Sequence, residues 1–236
     1  MLNVYIGYDE HEIIAYHVLA HSIMRRASAP VAIHPIMLSQ LKGTFNRPRS
    51  TNQSTDFTYA RFLTPWLDGF KGVSLFMDCD MLCLTDIYEL FDYAQSSNLY
   101  EDVLVVKHDY TPNPDNKFLN QPQTLYPCKN WSSLMLFKGY RMSVRGLTPA
   151  YVNSAPAMDL HQFKWAQAVG SLPPEWNHLV GEYDPNPNAK IVHFTRGGPW
   201  FKNFEQCEYS KEWFDELQHM LHAETYDMRR KNTVSL

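Results

Sequence analysis

The sequence predicts an α/β fold whose mixed, mostly parallel sheet is flanked by helices, and three observations point to it. Short apolar runs alternate with helix-period segments through the first half of the chain, as in layered α/β domains. Hydrophobic residues make up 44% and charged residues 19% of 236 positions, enough for one buried core and unlike a disordered chain. An acidic pair, Asp78 and Asp80, closes one apolar run where open α/β sheets bind their ligands, at the carboxyl end of a strand.

Leu2 to Gly7 reads as a buried strand whose exit loop is Gly7-Tyr8-Asp9. Ile13, Ile14, His17 or Val18, Ala20 or His21, and Met24 recur at helical spacing, and Arg25 and Arg26 then complement the C-terminal dipole. Residues 31–37 form a second strand, and the polar stretch 39–56, with Pro48, forms a loop. Residues 59–67 read as a short helix and 72–77 as a strand flowing into Asp78-Cys79-Asp80. Asp86 caps a helix carrying Ile87, Leu90 and Phe91.

Residues 103–107 and 133–137 are further strands. Between them, the proline- and asparagine-rich stretch 108–129 is long enough to mark a functional loop. Thr148-Pro149 opens a helix, 160–168 forms another, and 191–194 is a late strand. Ser210 caps a final helix with Trp213, Phe214, Leu217, Met220 and Leu221 on one face. One domain follows, with a first half at 1–107, a second at 108–209, and a C-terminal helix and tail at 210–236.

Lys and Arg number 21 against 25 Asp and Glu, a net charge of −4, which argues against a chain built to hold nucleic acid. No apolar run approaches the ~20 residues of a spanning helix, and the first residues lack the basic segment and cleavage site of a secretory signal. Cys79, Cys83, Cys128 and Cys207 show no Cys-x-x-Cys spacing, so reduced thiols in a cytoplasmic protein are expected. The basic run at 228–231 is a solvated tail or a peripheral contact for an anionic membrane.

The sharpest chemical feature is Asp78-Cys79-Asp80 inside the apolar run 75–84. With 14 Asp in the chain, about one Asp-x-Asp arises by chance, so the weight lies in its place at a strand end. Two carboxylates there need a cation or solvent. They can hold a divalent cation such as Mn²⁺ or Mg²⁺, or simply cap a turn. His193, at the end of the late strand, can complete an O/O/N set suited to Mn²⁺; the alternative is a packed core histidine. Gly197 and Gly198 follow in a turn whose backbone N–H groups can approach an anion.

Several blocks together resemble glycosyltransferase family 8. They are Tyr59-Ala60-Arg61-Phe62-Leu63-Thr64-Pro65-Trp66-Leu67, Val73 to Asp80, Leu84-Thr85-Asp86-Ile87-Tyr88-Glu89-Leu90-Phe91, Leu172-Pro173-Pro174-Glu175-Trp176-Asn177-His178-Leu179 and the turn from His193 to Trp200. They run in the family's order through most of the chain. The resemblance implies a GT-A fold, Rossmann-like and of the nucleotide-diphospho-sugar transferase type. It also implies Mn²⁺-dependent transfer of a hexose, with retention, from a nucleotide-sugar, usually a UDP-sugar, to a saccharide or other hydroxyl acceptor.

By the same resemblance, Asp78, Asp80 and His193 bind the metal, with Cys79 between the two carboxylates beside the donor. Gly7, Tyr8 and Asp9 hold base and ribose, the alternative for Asp9 being a cap of the following helix. Tyr59 and Arg61 lie at the donor, and Ser132 and Ser133 replace the Ala-Gly that usually faces its sugar. The turn before Pro199-Trp200 is about one residue short and has Gly198 where the family carries a diphosphate-contacting lysine, leaving Arg196 or Lys202 to supply that charge. The family's Asp-Gln pair finds its nearest equivalent in Asp159-Leu160-His161-Gln162, which puts Asp159, His161 and Gln162 near the sugar. The stretch 108–129 and the segment after Met142 become acceptor walls. Two rivals remain: a nucleotidyltransferase on a similar sheet, disfavoured by the acidic run Asp9-Glu10-His11-Glu12 where a basic glycine-rich loop is needed, and an inactive nucleotide- or sugar-binding module.

Overall fold

The computed structural model describes residues 1–49, 53, 55–109 and 127–221. In chain order the elements are Leu2–Gly7 (β1), Ile13–Arg26 (α1), Val31–Ile36 (β2), Thr64–Leu67 (α2), Val73–Met77 (β3), Met81–Cys83 (β4), Ile87–Ser96 (α3) and Val103–Val106 (β5). Leu134–Lys138 (β6), Met142–Arg145 (α4), Pro149–Ser154 (α5), Ala157–His161 (α6), Val169–Leu172 (β7), His178–Leu179 (β8), Ile191–His193 (β9) and Ser210–Leu221 (α7) follow.

The main sheet has the order β2-β1-β3-β6-β5-β7. β1 pairs in parallel with β2 and β3, and β5 with β7, while β6 runs antiparallel to both of its neighbours. Five strands thus share one direction, and only β6 is reversed. The near-continuous apolar character of β1, β3, β5 and β6 follows from burial of their side chains. A second sheet, β4-β9-β8, starts where β3 ends.

The expected elements form, with differences at their edges. Residues 59–67 are a 3₁₀ turn, Ala60–Leu63, running into α2. Ser133 closes the 3₁₀ turn Trp131–Ser133 just before β6. Asp86 accepts from the Tyr88 N–H as the cap of α3 at 3.0 Å, and Thr148 caps α5 in the same way. The helix expected over 160–168 is instead α6, over by His161. Phe163 takes a left-handed conformation with φ 58°, the Lys164 N–H reaches back to the Asp159 carbonyl at 3.0 Å, and Trp165 stacks on Phe137 of the sheet. Packing of the indole ends the helix despite its helix-forming sequence.

The buried face of α1 keeps Val18 and Ala20 of the expected set but departs from it at both ends. Ile13, Ile14 and Met24 are exposed, whereas Ala15, Val18, Leu19, Ser22 and Ile23 are buried. α7 likewise buries Trp213 but exposes Phe214 and Leu221. Glu216, 1% exposed, lies between α7 and α1 and is paired with Arg25 at 2.8 Å, Arg26 at 2.6 Å and the His21 ring at 2.5 Å. Burial raises its pKa, but the hydrogen bonds and charge of the two arginines, with the His21 hydrogen bond, outweigh it and hold the carboxyl down at about 2. Among the described residues no helix is long and apolar enough to cross a membrane. The middle of the 108–129 stretch and the basic run 228–231 lie outside the described residues.

Candidate metal centre

Two backbone ladders build the site. β3 pairs with β6 in a register that sets Met77 opposite Leu134, and one residue on the Asp78 N–H donates to the Ser133 carbonyl at 2.8 Å. β4 pairs with β9 so that Met81 faces His193, and the Phe194 N–H donates to the Asp80 carbonyl at 2.8 Å. The Asp-Cys-Asp turn is therefore clamped between the two sheets. Asp78, Asp80 and His193 each bring one ligand atom to within 4.8 Å of the others, and His193 Nε2 lies 3.2 Å from Asp80 Oδ1.

Electrostatics mark this spot as short of positive charge. Burial pushes the Asp78 carboxyl up to about 6, although Arg61 pulls the other way. Glu12, 5% exposed at the start of α1, has its carboxyl pushed well above the usual range by burial first, then by the charges of Asp80 and Asp9. For Asp80 burial is the largest influence and raises its pKa. The adjacent His193 ring and the other favourable contacts outweigh it, so the net direction is downward. Two carboxylates and an imidazole at this separation, with Asp9 and Glu12 nearby, are a donor set that could hold a divalent cation.

Arg61 lies beneath the acidic pair. It is buried, with its guanidinium carbon 5.2 Å from the Phe57 ring centre and 5.1 Å from that of Phe76. Its Nη1 sits 2.8 Å from Asp78 Oδ1 and donates to the Ser132 carbonyl at 2.9 Å. Ser132 Oγ is 2.8 Å from His161 Nδ1. Burial, then Arg61 and Arg47, pull the His161 pKa down to about 3, so this imidazole is neutral near pH 7. Tyr59 lies under the Arg47 guanidinium at 3.9 Å, its ring 5.8 Å from that of His161. Arg61, Asp78, Ser132, His161 and Tyr59 thus form one connected group.

The other candidates are placed less directly. Asp9 is buried and accepts from the His11 N–H at 2.9 Å and the Asp56 N–H at 3.0 Å, so it fixes the exit of β1 and ties a loop to it. Gly7 gives room to the Phe57 ring, which a Cβ there would meet at 2.4 Å. Half-buried Tyr8 packs edge-on against Tyr16. Cys79 is buried, and its Sγ donates to Glu12 Oε2 at 3.6 Å. Ser133 Oγ donates to the Asn130 carbonyl at 2.7 Å. The Gly197 N–H donates to the Phe194 carbonyl at 2.8 Å, and the Trp200 ring fills the space a Cβ on Gly198 would need. Arg196 reaches the Gly181 carbonyl at 3.3 Å, and Lys202 is exposed. Asp159 pairs with Lys164 at 2.6 Å. Gln162 is half-buried at the end of α6.

Two residues join the site that the sequence did not single out. Glu12 appeared only as part of an acidic run; its signal was a carboxylate just ahead of the buried face of α1. Asn177 stood inside a quoted block without a role. It is fully buried, with Oδ1 3.1 Å from His193 Nδ1 and Nδ2 donating to Ser133 Oγ at 2.9 Å.

No family model matches the chain. It is 42% identical over 224 residues to "Protein CDI" of Arabidopsis thaliana, covering 91% of this chain and 85% of that one. Among solved structures it is similar to the bifunctional glycosyltransferase WbbM in its apo form, with a TM-score of 0.59 and 16% identity, covering 92% of this chain. The chain spans about half of WbbM, 49% of its length. It is also similar to the galactosyltransferase LgtC, solved with donor and acceptor sugar analogues, with a TM-score of 0.55 and 11% identity, covering 92% of this chain and 96% of that one. The fold is that of the GT-A glycosyltransferases.

Proposed function

The chain belongs to the family of Protein CDI of Arabidopsis thaliana, and from that premise we propose that it is a glycosyltransferase of the family 8 type. Its reaction is the transfer of a hexose, with retention, from a UDP-sugar to a hydroxyl of a saccharide or other acceptor, dependent on Mn²⁺ or Mg²⁺. One observation carries this reading: Asp78 and Asp80 from one turn and His193 from a strand more than a hundred residues later converge at the strand ends of a GT-A fold. These three residues would hold the cation, whose chemistry is to neutralise the diphosphate as it leaves.

The chain's own groups do the rest. Tyr8 and Asp9, fixed at the exit of β1, hold base and ribose. The neutral His161 and its neighbour Gln162 border the sugar, and a neutral imidazole can orient a hydroxyl without a charge beside the anomeric centre. Arg61 acts through Asp78, holding one carboxylate in place from below. Arg196 or Lys202 faces the diphosphate. Catalysis of this kind rests on positioning and on electrostatic stabilisation of the leaving group. The four free thiols accord with action in the cytoplasm.

The test is hydrolysis or transfer from a panel of UDP-hexoses with and without Mn²⁺. Turnover of at least one donor is expected with the metal and none after chelation. Metal-independent turnover, or release of pyrophosphate from a sugar phosphate and nucleoside triphosphate, contradicts the reading.

A further inference from the structure

We propose that Asn177 is a positioning residue that keeps a proton on His193 Nδ1, so that Nε2 is the nitrogen free to meet a cation; the inference rests on the metal reading above. The direction of the hydrogen bonds is forced by the chain of partners. It begins at the Asn130 carbonyl, which can only accept and which Asn130's left-handed backbone, φ 61°, turns toward Ser133. The single Ser133 hydroxyl proton goes to that carbonyl at 2.7 Å. Ser133 Oγ is then an acceptor toward Asn177, so the amide edge facing it is Nδ2, at 2.9 Å. That leaves Asn177 Oδ1 toward the His193 ring at 3.1 Å, where it can only accept, and Nδ1 must carry the proton.

This opposes a competing pull. Asp80 Oδ1 lies 3.2 Å from Nε2, and a carboxylate so placed favours a proton on that nitrogen, in the ligand position. With Nδ1–H held by Asn177, the neutral ring keeps its proton on the far side and offers the Nε2 lone pair. A hydrogen bond to the other ring nitrogen is how metal-binding histidines are oriented. The same Ser133 accepts Asp78's N–H through its carbonyl, so one turn sets both the acidic pair and the ring.

Nitrogen-15 spectra of imidazole-labelled, metal-free protein at mildly alkaline pH test this without any turnover. The wild type is expected to show His193 protonated at Nδ1. Asn177→Leu, close in shape and unable to hydrogen-bond, is expected to shift the proton to Nε2, and Asn177→Asp, which keeps the acceptor, to retain it on Nδ1. Mn²⁺ affinity by calorimetry should fall about 10- to 100-fold in Asn177→Leu and stay near wild type in Asn177→Asp. An unprotonated Nδ1 in the wild type, or unchanged protonation and Mn²⁺ affinity in a folded Asn177→Leu, overturns the role of Asn177. If the leucine variant does not fold, the wild-type and aspartate spectra decide. Wild-type protein that binds no Mn²⁺ overturns the metal reading itself, while the spectra still report on the ring.

Discussion

Asp80→Asn is expected to abolish Mn²⁺-dependent turnover of the donor, by about a thousandfold, while leaving the protein folded. The substitution keeps volume and removes one negative charge from the proposed metal set. If that carboxylate supports a cation contributing several kcal/mol to charge stabilisation, losing about 4 kcal/mol corresponds to about a thousandfold in rate. Some stability should be lost, because His193 and the other favourable contacts hold the folded-state Asp80 carboxyl below its ordinary range. Relief of the repulsion that helps push the Glu12 carboxyl up offsets part of that loss. Asp78→Asn should behave alike in turnover but lose more stability, because it leaves Arg61 without its carboxylate at 2.8 Å. Rates and melting curves measured side by side check both variants. Near-wild-type turnover of Asp80→Asn at low Mn²⁺ would falsify the metal assignment.

The second large effect is expected at Arg61. Its Nη1 reaches internal partners, Asp78 and the Ser132 carbonyl, and its guanidinium lies near the Phe57 and Phe76 rings. Arg61→Ala leaves a largely buried carboxylate unpaired, a change that costs about 3–5 kcal/mol. For a chain of this size the melting temperature should then fall by about 6–20 °C. Donor kcat/KM should fall too, roughly ten- to a hundredfold, since one carboxylate of the proposed metal set loses its fixed position. Lys should rescue only in part, because an ammonium cannot reproduce the guanidinium's planar fork. The pH dependence has a definite sign. Asp78 already titrates near 6 with Arg61 in place. Without the arginine, burial is opposed less and the pKa rises further. A carboxyl whose folded pKa lies above its unfolded value costs stability at high pH and regains it as pH falls through the folded pKa. The deficit of Arg61→Ala should therefore shrink on acidification from neutral pH toward 6. Unchanged donor kinetics with a lowered melting temperature would show Arg61 to be a packing residue alone.

Much of the site was legible because its residues are unusual for their surroundings. Two carboxylates inside the apolar run 75–84 and a histidine at the end of an aliphatic strand are both out of place in a core, and the fold brings them together. The end of the first strand in that run was legible from the acidic pair, but the strand that follows was hidden. β4 is only three residues long and as apolar as β3 before it, so hydrophobicity gives no sign that the chain changes sheets at Asp78-Cys79-Asp80. The end of α6 was hidden as well, since it depends on Trp165 reaching Phe137 across the sheet. On α1, Ser22 lies inside because its Oγ bonds the Leu19 carbonyl and receives the Cys83 N–H. Ile13 and Ile14 lie outside, an inversion no hydropathy pattern contains. Asn177 and Glu12 share one reason for being missed: each acts through a partner distant in sequence, His193 for one and Cys79 for the other.

The central claim is that Asp78, Asp80 and His193 hold a divalent cation that in turn holds a nucleoside diphosphate. Calorimetric titration of UDP into wild-type protein, with Mn²⁺ present and after chelation, tests it most directly. The account predicts saturable 1:1 binding with the metal, weakened by chelation and by His193→Ala on the order of tenfold or more. Equal UDP affinity with and without Mn²⁺, or an unchanged affinity in folded His193→Ala, would contradict it.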